Sequence, residues 1–291
     1  MQAVRHIRRA AGSTSAARRR AAMERGDSMW YSNEQNNNAR RQRLGRVFGE
    51  VRPPVWIAGP CAAENAGMME KTVERLVKNG VTIVRAGAYK PRTSADDFQG
   101  LGRAALEIFR EIRRRYGVRI VSEVVDVRHI EPMSSCVDIL QVGARNMYNY
   151  ELLKELGRGS IPVLLKNGLS ATVEEFLKAA EYILRGGNER LALCERGVRG
   201  FDPYTRNTLD LARVAGIRKE TDFPVIVDIS HSLGRKDIAP PVAKAALAAG
   251  ADGLIIEVHN DPTHALCDGA QSLTPKKFDD VAKAVFAIRP Y

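Results

Sequence analysis

The chain has 291 residues, 44% of them hydrophobic, enough to bury one large core. No stretch approaches the roughly 18 apolar residues of a membrane span, and the N-terminus lacks the apolar core of a secretory signal. The formal charge of +11 is uneven: residues 1–50 hold eleven arginines, no lysine and four acids, a balance of +7 that leaves +4 for the rest, so the basic character does not point the folded body at nucleic acid. Along the chain, residues 1–25 are Arg-rich and Ser-containing, which fits a translated leader better than a transit peptide, with Met23 and Met29 as alternative starts. Residues 1–50 lack sustained periodicity and include the polar cluster 32–38, so they are read as a mostly disordered basic extension with a short helix over 38–48.

From residue 51 to 291 the pattern changes. Eight short apolar runs each close on a polar residue: 55–60 on Cys61, 81–84 on Arg85, 120–122 on Glu123, 139–144 on Arg145, 163–165 on Lys166, 191–195 on Arg196, 225–230 on His231 and 254–256 on Glu257. Segments of helical spacing follow them at 67–79, 101–116, 127–134, 150–156, 173–185, 205–214, 239–249 and 275–288. Alternating strands and helical crossovers require a parallel sheet, and eight units predict a (β/α)8 TIM barrel, in which strand ends converge on one face.

Four of the converging groups have metal-ligand chemistry: Cys61, His231, Glu257 and, in the Cys-Asp-Gly turn that follows the last run, Asp268. A thiolate, an imidazole and two carboxylates suit a divalent manganese, iron, cobalt or zinc ion better than magnesium or calcium. Any one alone is weak, since a single cysteine is usually a small core residue. Their placement on strands one, seven and eight, neighbours in a closed barrel, makes them a set. Cationic side chains stand around them: Arg85, Lys90 with Arg92, Arg145, Lys166 and Arg196. Taken singly, each could pair with Glu123, Glu195 or Asp228; together they would repel one another unless anions filled the cavity. The segment Lys90-Pro91-Arg92-Thr93-Ser94 reads as a second anion cradle, apart from that of Arg145, Lys166 and Arg196. Two anionic pockets flanking a metal imply two phosphorylated substrates, or one with two anionic ends. The four cysteines, Cys61, Cys136, Cys194 and Cys267, show neither paired zinc spacing nor disulfide density, so reduced thiols in a cytoplasm are expected.

Strung in order, GPCAAEN, VRAGAYKPRTSADDFQGLG, SEV, QVGARNMYNYELL, PVLLKNG, LCERGVRGFDPYTRNTLDL, PVIVDISHSLGR, GADGLIIEVHNDP and CDGAQSL closely resemble the type I 3-deoxy-D-arabino-heptulosonate 7-phosphate (DAHP) synthases, in the β subgroup that also resembles 3-deoxy-octulosonate 8-phosphate synthase. The resemblance spans the whole barrel. It implies condensation of phosphoenolpyruvate with erythrose 4-phosphate, releasing phosphate, as the first step of the shikimate route to aromatic compounds. It also implies roles. Cys61, His231, Glu257 and Asp268 would be the metal ligands; Arg85, Lys90, Arg145, Lys166 and Arg196 would hold phosphoenolpyruvate, with Glu123 ordering that pocket and its water; Arg92, Thr93 and Ser94 would receive the aldose phosphate. Lys90, Glu123, Lys166 and His231 would be the catalytic groups.

Octulosonate synthases carry a KANR-type loop where this chain has Lys90-Pro91-Arg92-Thr93, the heptulosonate form. The chain departs from the family pattern at Ile229 (proline in DPSH), Asn167 (a basic residue), Gly200 (threonine) and Cys267 (serine or similar). Loss of the proline is expected to loosen the turn carrying His231, and Asn167 to remove a cation near the phosphate. These changes keep open a variant enzyme of specialised metabolism using a modified aldose phosphate. An octulosonate-type synthase is the rival among enzymes, and a non-catalytic anion-binding regulatory barrel the rival outside them. A homo-oligomer, dimer or tetramer, is expected. Residues 1–50 are too short and too polar for the ferredoxin-like or chorismate-mutase regulatory domains of many relatives, so feedback of that kind is not expected.

Overall fold

The structure, a computed structural model, describes residues 34–92 and 94–286. Eight strands, β1 (Val55–Gly59), β2 (Ile83–Arg85), β3 (Arg119–Glu123), β4 (Ile139–Val142), β5 (Val163–Lys166), β6 (Leu191–Glu195), β7 (Val225–Asp228) and β8 (Gly253–Glu257), pair in sequence order into a closed parallel barrel. Each strand is buried on both faces, one turned to the barrel axis and one to the helices, which is why the runs read as continuously apolar and do not alternate. Closure runs from Val55 opposite Gly253 to Gly59 opposite Glu257. Cys61 therefore rises beside Glu257. At Gly59 the backbone has φ 152° and a Cβ would fall 2.1 Å from the Arg85 carbonyl oxygen, so only glycine lets β1 approach the end of β2.

The helices lie at α1 (Glu34–Phe48), α2 (Ala66–Lys78), α3 (Arg103–Tyr116), α4 (Ile130–Ser134), α5 (Tyr150–Arg158), α6 (Val173–Arg185), α7 (Leu211–Glu220), α8 (Ile229–Leu233), α9 (Ala239–Ala248) and α10 (Pro275–Phe286). Local signals place most of them. Asn65 caps α2 through the Met68 N–H, and Thr172 with Glu175 forms a capping box on α6. None of the described helices is long and apolar enough to cross a membrane.

Two expectations need correction. The short helix expected over 38–48 in the basic extension starts earlier: α1 begins at Glu34 and lies under the barrel, where Leu44, Val47 and Phe48 join the cluster that fills the barrel axis. Burying Phe48 completely is worth about 1.5–3 kcal/mol. Arg40 fastens the same helix, its guanidinium donating to the carbonyls of Arg218, Thr221 and Phe223. Residues 1–33 lie outside the described residues. The sixth barrel helix, expected over 205–214, runs from Leu211 to Glu220. The backbone ahead of it is committed elsewhere: the N–H groups of Arg206 and Asn207 donate to the carbonyls of Leu233 and Ser232, and Thr208 pairs with Val198. Asp210 is the first residue free to cap, accepting from the Arg213 N–H.

Candidate active site

The carboxyl ends of the strands open into a cavity of about 370 Å³ lined by Arg85, Lys90, Arg92, Glu123, Arg145, Lys166, Arg196, His231 and Asp268, all singled out in the sequence. Strand ends supply Arg85, Glu123 and Lys166, and the next residues supply Arg196. Gly143 makes room for Glu123: a Cβ there would stand 2.0 Å from its Oε1. Ser94 is not brought into this wall; it is exposed, and its hydroxyl accepts from the Asp96 N–H. Thr93 lies outside the described residues.

Beside the cavity, Cys61, His231, Glu257 and Asp268 each offer a donor atom within 4.8 Å of the others. The Cys61 thiol donates to Asp268 Oδ2 at 3.0 Å, and His231 Nε2 is 3.4 Å from Glu257 Oε1 and 3.7 Å from Asp268 Oδ2. His231 sits in α8, a helical turn absent from the sequence expectation. Asp228 caps it through the His231 N–H and holds the ring Nδ1 at 2.9 Å, while Gly234 ends it in the left-handed conformation. The turn expected to be loosened at Ile229 is thus tied at both ends. With Nδ1 held by a carboxylate, Nε2 faces the other donors, the arrangement that orients metal-binding histidines. Burial would lower the His231 pKa, but Asp228 and Glu257 outweigh it and raise it to about 10. Burial pushes the Cys61 thiol up, and the neighbouring Cys267 adds to this.

The cations divide into two kinds. Lys166 is paired at 2.5 Å with Asp228, one of the three partners expected, whereas Arg85 is paired at 2.8 Å with Glu257, which was not among them. Lys90, Arg145 and Arg196 have no carboxylate within salt-bridge distance among the described residues. Burial lowers the Arg196 pKa, as its guanidinium reaches only the carbonyls of His231 and Gly197, at 3.4 and 3.5 Å. Burial would lower the Lys90 pKa, but neighbouring negative charge, the Glu123 carboxylate included, outweighs it and raises it. Arg92 is engaged by Asp97 at 2.9 Å. Glu195, an alternative partner for the cavity arginines, instead faces Arg213.

The DAHP synthetase I family profile matches residues 32–289. The chain belongs to the DAHP synthetase I family. Phospho-2-dehydro-3-deoxyheptonate aldolase from Thermotoga maritima is 48% identical over 227 residues, covering 78% of this chain and 67% of that protein. A crystal structure of this enzyme from the same organism is 45% identical, with TM-score 0.78, over 81% of this chain and 70% of that one. 2-Dehydro-3-deoxyphosphooctonate aldolase of Geobacter sulfurreducens is 33% identical over 262 residues, covering 83% of this chain and 94% of that one. As a member of the family, the chain is an enzyme that forms a carbon–carbon bond.

Several residues of this family member went unremarked as site residues in the sequence. Asp228 organises both His231 and Lys166. Arg206 lines the cavity and reaches Gln271 at 2.9 Å and Asp268 at 3.4 Å, and Gln271 donates to Glu257 Oε2. Asn167, expected to matter as a missing cation, points away from the cavity: its amide donates to the Gly197 carbonyl and accepts from the Arg196 N–H, pinning the backbone of Arg196. At Gly200 a Cβ would meet the Thr208 hydroxyl at 2.5 Å. Cys267 is buried with Cys61 and Ala62.

Proposed function

We propose that the enzyme condenses phosphoenolpyruvate with erythrose 4-phosphate to give DAHP and phosphate, in a divalent-metal-dependent reaction that opens the shikimate route. One observation carries this reading: the donor cluster of Cys61, His231, Glu257 and Asp268 borders a cavity in which Lys90, Arg145 and Arg196 lack carboxylate partners. Of the three only Arg196 is buried, Lys90 being half-buried and Arg145 exposed at the rim, and a cation withdrawn from water with no carboxylate partner is stabilised when an anion arrives to pair with it.

The donor set fits a manganese, iron, cobalt or zinc ion, because it mixes a soft thiol with imidazole and carboxylates. When bound, such an ion supplies Lewis acidity for the aldehyde. The chain's own groups do the rest. Arg85, Lys90, Arg145, Lys166 and Arg196 bind the phosphate and carboxylate of phosphoenolpyruvate and hold it in register for attack through C3. Glu123 faces that pocket and orients the water that adds at C2, next to the Lys166 ammonium, which Asp228 keeps in place. Arg92 exchanges its Asp97 partner for the aldose phosphate, with Thr93 and Ser94 beside it. His231, held through Nδ1, keeps Nε2 directed at the donor cluster. We place the enzyme in the cytoplasm as a homo-oligomer, which sedimentation would test.

The deciding experiment is a panel of aldose phosphates with phosphoenolpyruvate and manganese, read by phosphate release and product mass. Erythrose 4-phosphate should be the turned-over substrate. A preference for arabinose 5-phosphate would make the enzyme an octulosonate synthase, and turnover of a modified tetrose alone would move it to specialised metabolism.

A further inference from the structure

Glu64 and His259 belong to GPCAAEN and IIEVHN, yet neither lines the cavity. Both are nearly inaccessible, with side chains 6% and 5% exposed, and Glu64 Oε2 stands 3.5 Å from His259 Nε2. A carboxylate withdrawn from water away from the reacting groups is costly unless it is paired and bonded. Glu64 is bonded to one place that matters: its Oε1 accepts a 2.9 Å hydrogen bond from the N–H of Leu266, two residues before Asp268. His259 backs it from behind. Its Nδ1 accepts from the Asp261 N–H at 2.9 Å, which leaves the ring proton on Nε2, the nitrogen that faces Glu64. The His259 N–H in turn donates to the Leu273 carbonyl. A single carboxylate, three residues beyond Cys61, thus bonds the loop 259–266 that delivers Asp268 at its Leu266 end and lies 3.5 Å from its His259 end, where the buried Nε2 makes no hydrogen bond.

Asp268 is the donor most in need of such a hold. Cys61, His231 and Glu257 are carried by a strand or by the residues directly after one, whereas Asp268 follows a long loop and its side chain is 24% exposed, against 14% for His231 and 0% for Glu257. It is also the one non-glycine residue among the described residues with left-handed backbone, φ 52°. The next residue, Gly269, has no room for a Cβ, which would lie 2.2 Å from the Pro262 carbonyl. A donor on strained backbone keeps its place only while its surroundings enforce it.

We infer that Glu64 is a positioning residue for Asp268, fixing the loop through the Leu266 N–H, with His259 packed behind it, so that Oδ2 stands among the other three donors, and that it thereby sets the affinity of the cluster for a divalent ion. This rests on the metal-centre reading above. Glu64 touches neither the ion nor substrate.

Cobalt(II) titration of the full chain, followed by thiolate-to-cobalt absorption in the near-ultraviolet and by competition with a chelator, measures the effect directly. Glu64→Ala should weaken cobalt binding by about 10- to 100-fold, as loss of an outer-shell partner does, while melting in excess chelator shifts little. Glu64→Gln keeps an oxygen for the Leu266 N–H and should recover most of that affinity. Leu266→Pro removes the donor and leaves Glu64 intact; Ala265, at φ −65° and ψ 134°, already has the backbone that precedes proline, so this variant serves if Glu64→Ala fails to fold. It should lose affinity like the alanine variant. Affinity unchanged within about twofold in Glu64→Ala or Leu266→Pro, or a lower chelator-state melting temperature with unchanged affinity, would make the pair a purely structural clamp and overturn the inference. Absence of thiolate-to-cobalt absorption in the parent chain would instead overturn the metal-centre reading itself.

Discussion

Arg40 beneath the barrel and Arg196 at its open end are equally hidden, 6% and 5% exposed, but they are satisfied differently. Arg40 donates to three carbonyls at 2.7–3.2 Å and pairs with Asp252 at 3.3 Å. Arg196 has two long contacts to carbonyls and no carboxylate partner. In both, burial drives the guanidinium pKa down; for Arg40 the Asp252 carboxylate opposes it at bonding distance. The same side chain is scaffold where its donors are spent inside the protein and keeps them available to an anion where they are not. Burial alone separates nothing here; the count of bonded partners does.

If the open end is built for chemistry, its largest sensitivity is to the donor cluster. Cys61→Ala, or exhaustive chelation of the parent, should cut phosphate release by roughly 10³-fold or more, since Lewis acidity is worth several kcal/mol. Elemental analysis checks that metal has gone; a metal-free protein with full turnover would remove the metal from the mechanism. If the floor is scaffold, Phe48→Ala should cost about 3–5 kcal/mol in denaturant unfolding while leaving kcat of the folded enzyme unchanged. A fall in kcat without a fall in stability would erase the distinction between the two ends.

A narrower cut falls within the open end. Exchanging Pro91-Arg92 for Ala-Asn should raise KM for erythrose 4-phosphate by about 30-fold, roughly 2 kcal/mol, and KM for phosphoenolpyruvate far less. Equal effects on both substrates would mean that the loop serves the other phosphate. The smallest and sharpest test compares two buried asparagines. Asn188, before β6, bonds the carbonyls of Leu156 and Ile161; Asn167, after β5, bonds the Gly197 carbonyl and the Arg196 N–H. Alanine at either should cost about 1–3 kcal/mol of stability by stranding buried groups. Only Asn167→Ala should also raise KM for phosphoenolpyruvate, because only it holds Arg196; an equal rise in both variants would tie the effect to stability instead.

Most of the barrel was legible because each strand is apolar on both faces and its run closes on a polar residue, a pattern that survives reading one residue at a time. The donor cluster was legible for the same reason, three of its members lying at or next to strand ends. What escaped notice depends on partners distant in sequence. In α1 the apolar residues are confined to the last turns, after Glu-Gln-Asn-Asn-Asn, so the helix looks solvated until the barrel floor that receives Leu44, Val47 and Phe48 is in place. Arg40 looks like any surface arginine for the same reason. The start of α7 was misplaced because the bonds that occupy residues 206–208 run to 198 and 232–233. Gln271, Arg206 and Glu64 carry no local signature beyond membership of a motif, since their work is to hold another side chain or loop.

Barrel closure has a consequence in time. Cys61 and Asp268 are 207 residues apart in sequence, and Glu257 joins them only when β8 pairs with β1. A nascent chain ending before β8 holds just two of the four donors, Cys61 and His231. Contacts of such long range form late. The emerging protein therefore passes through most of its synthesis with these four groups apart, and the cluster they form is complete only when the polypeptide is nearly finished.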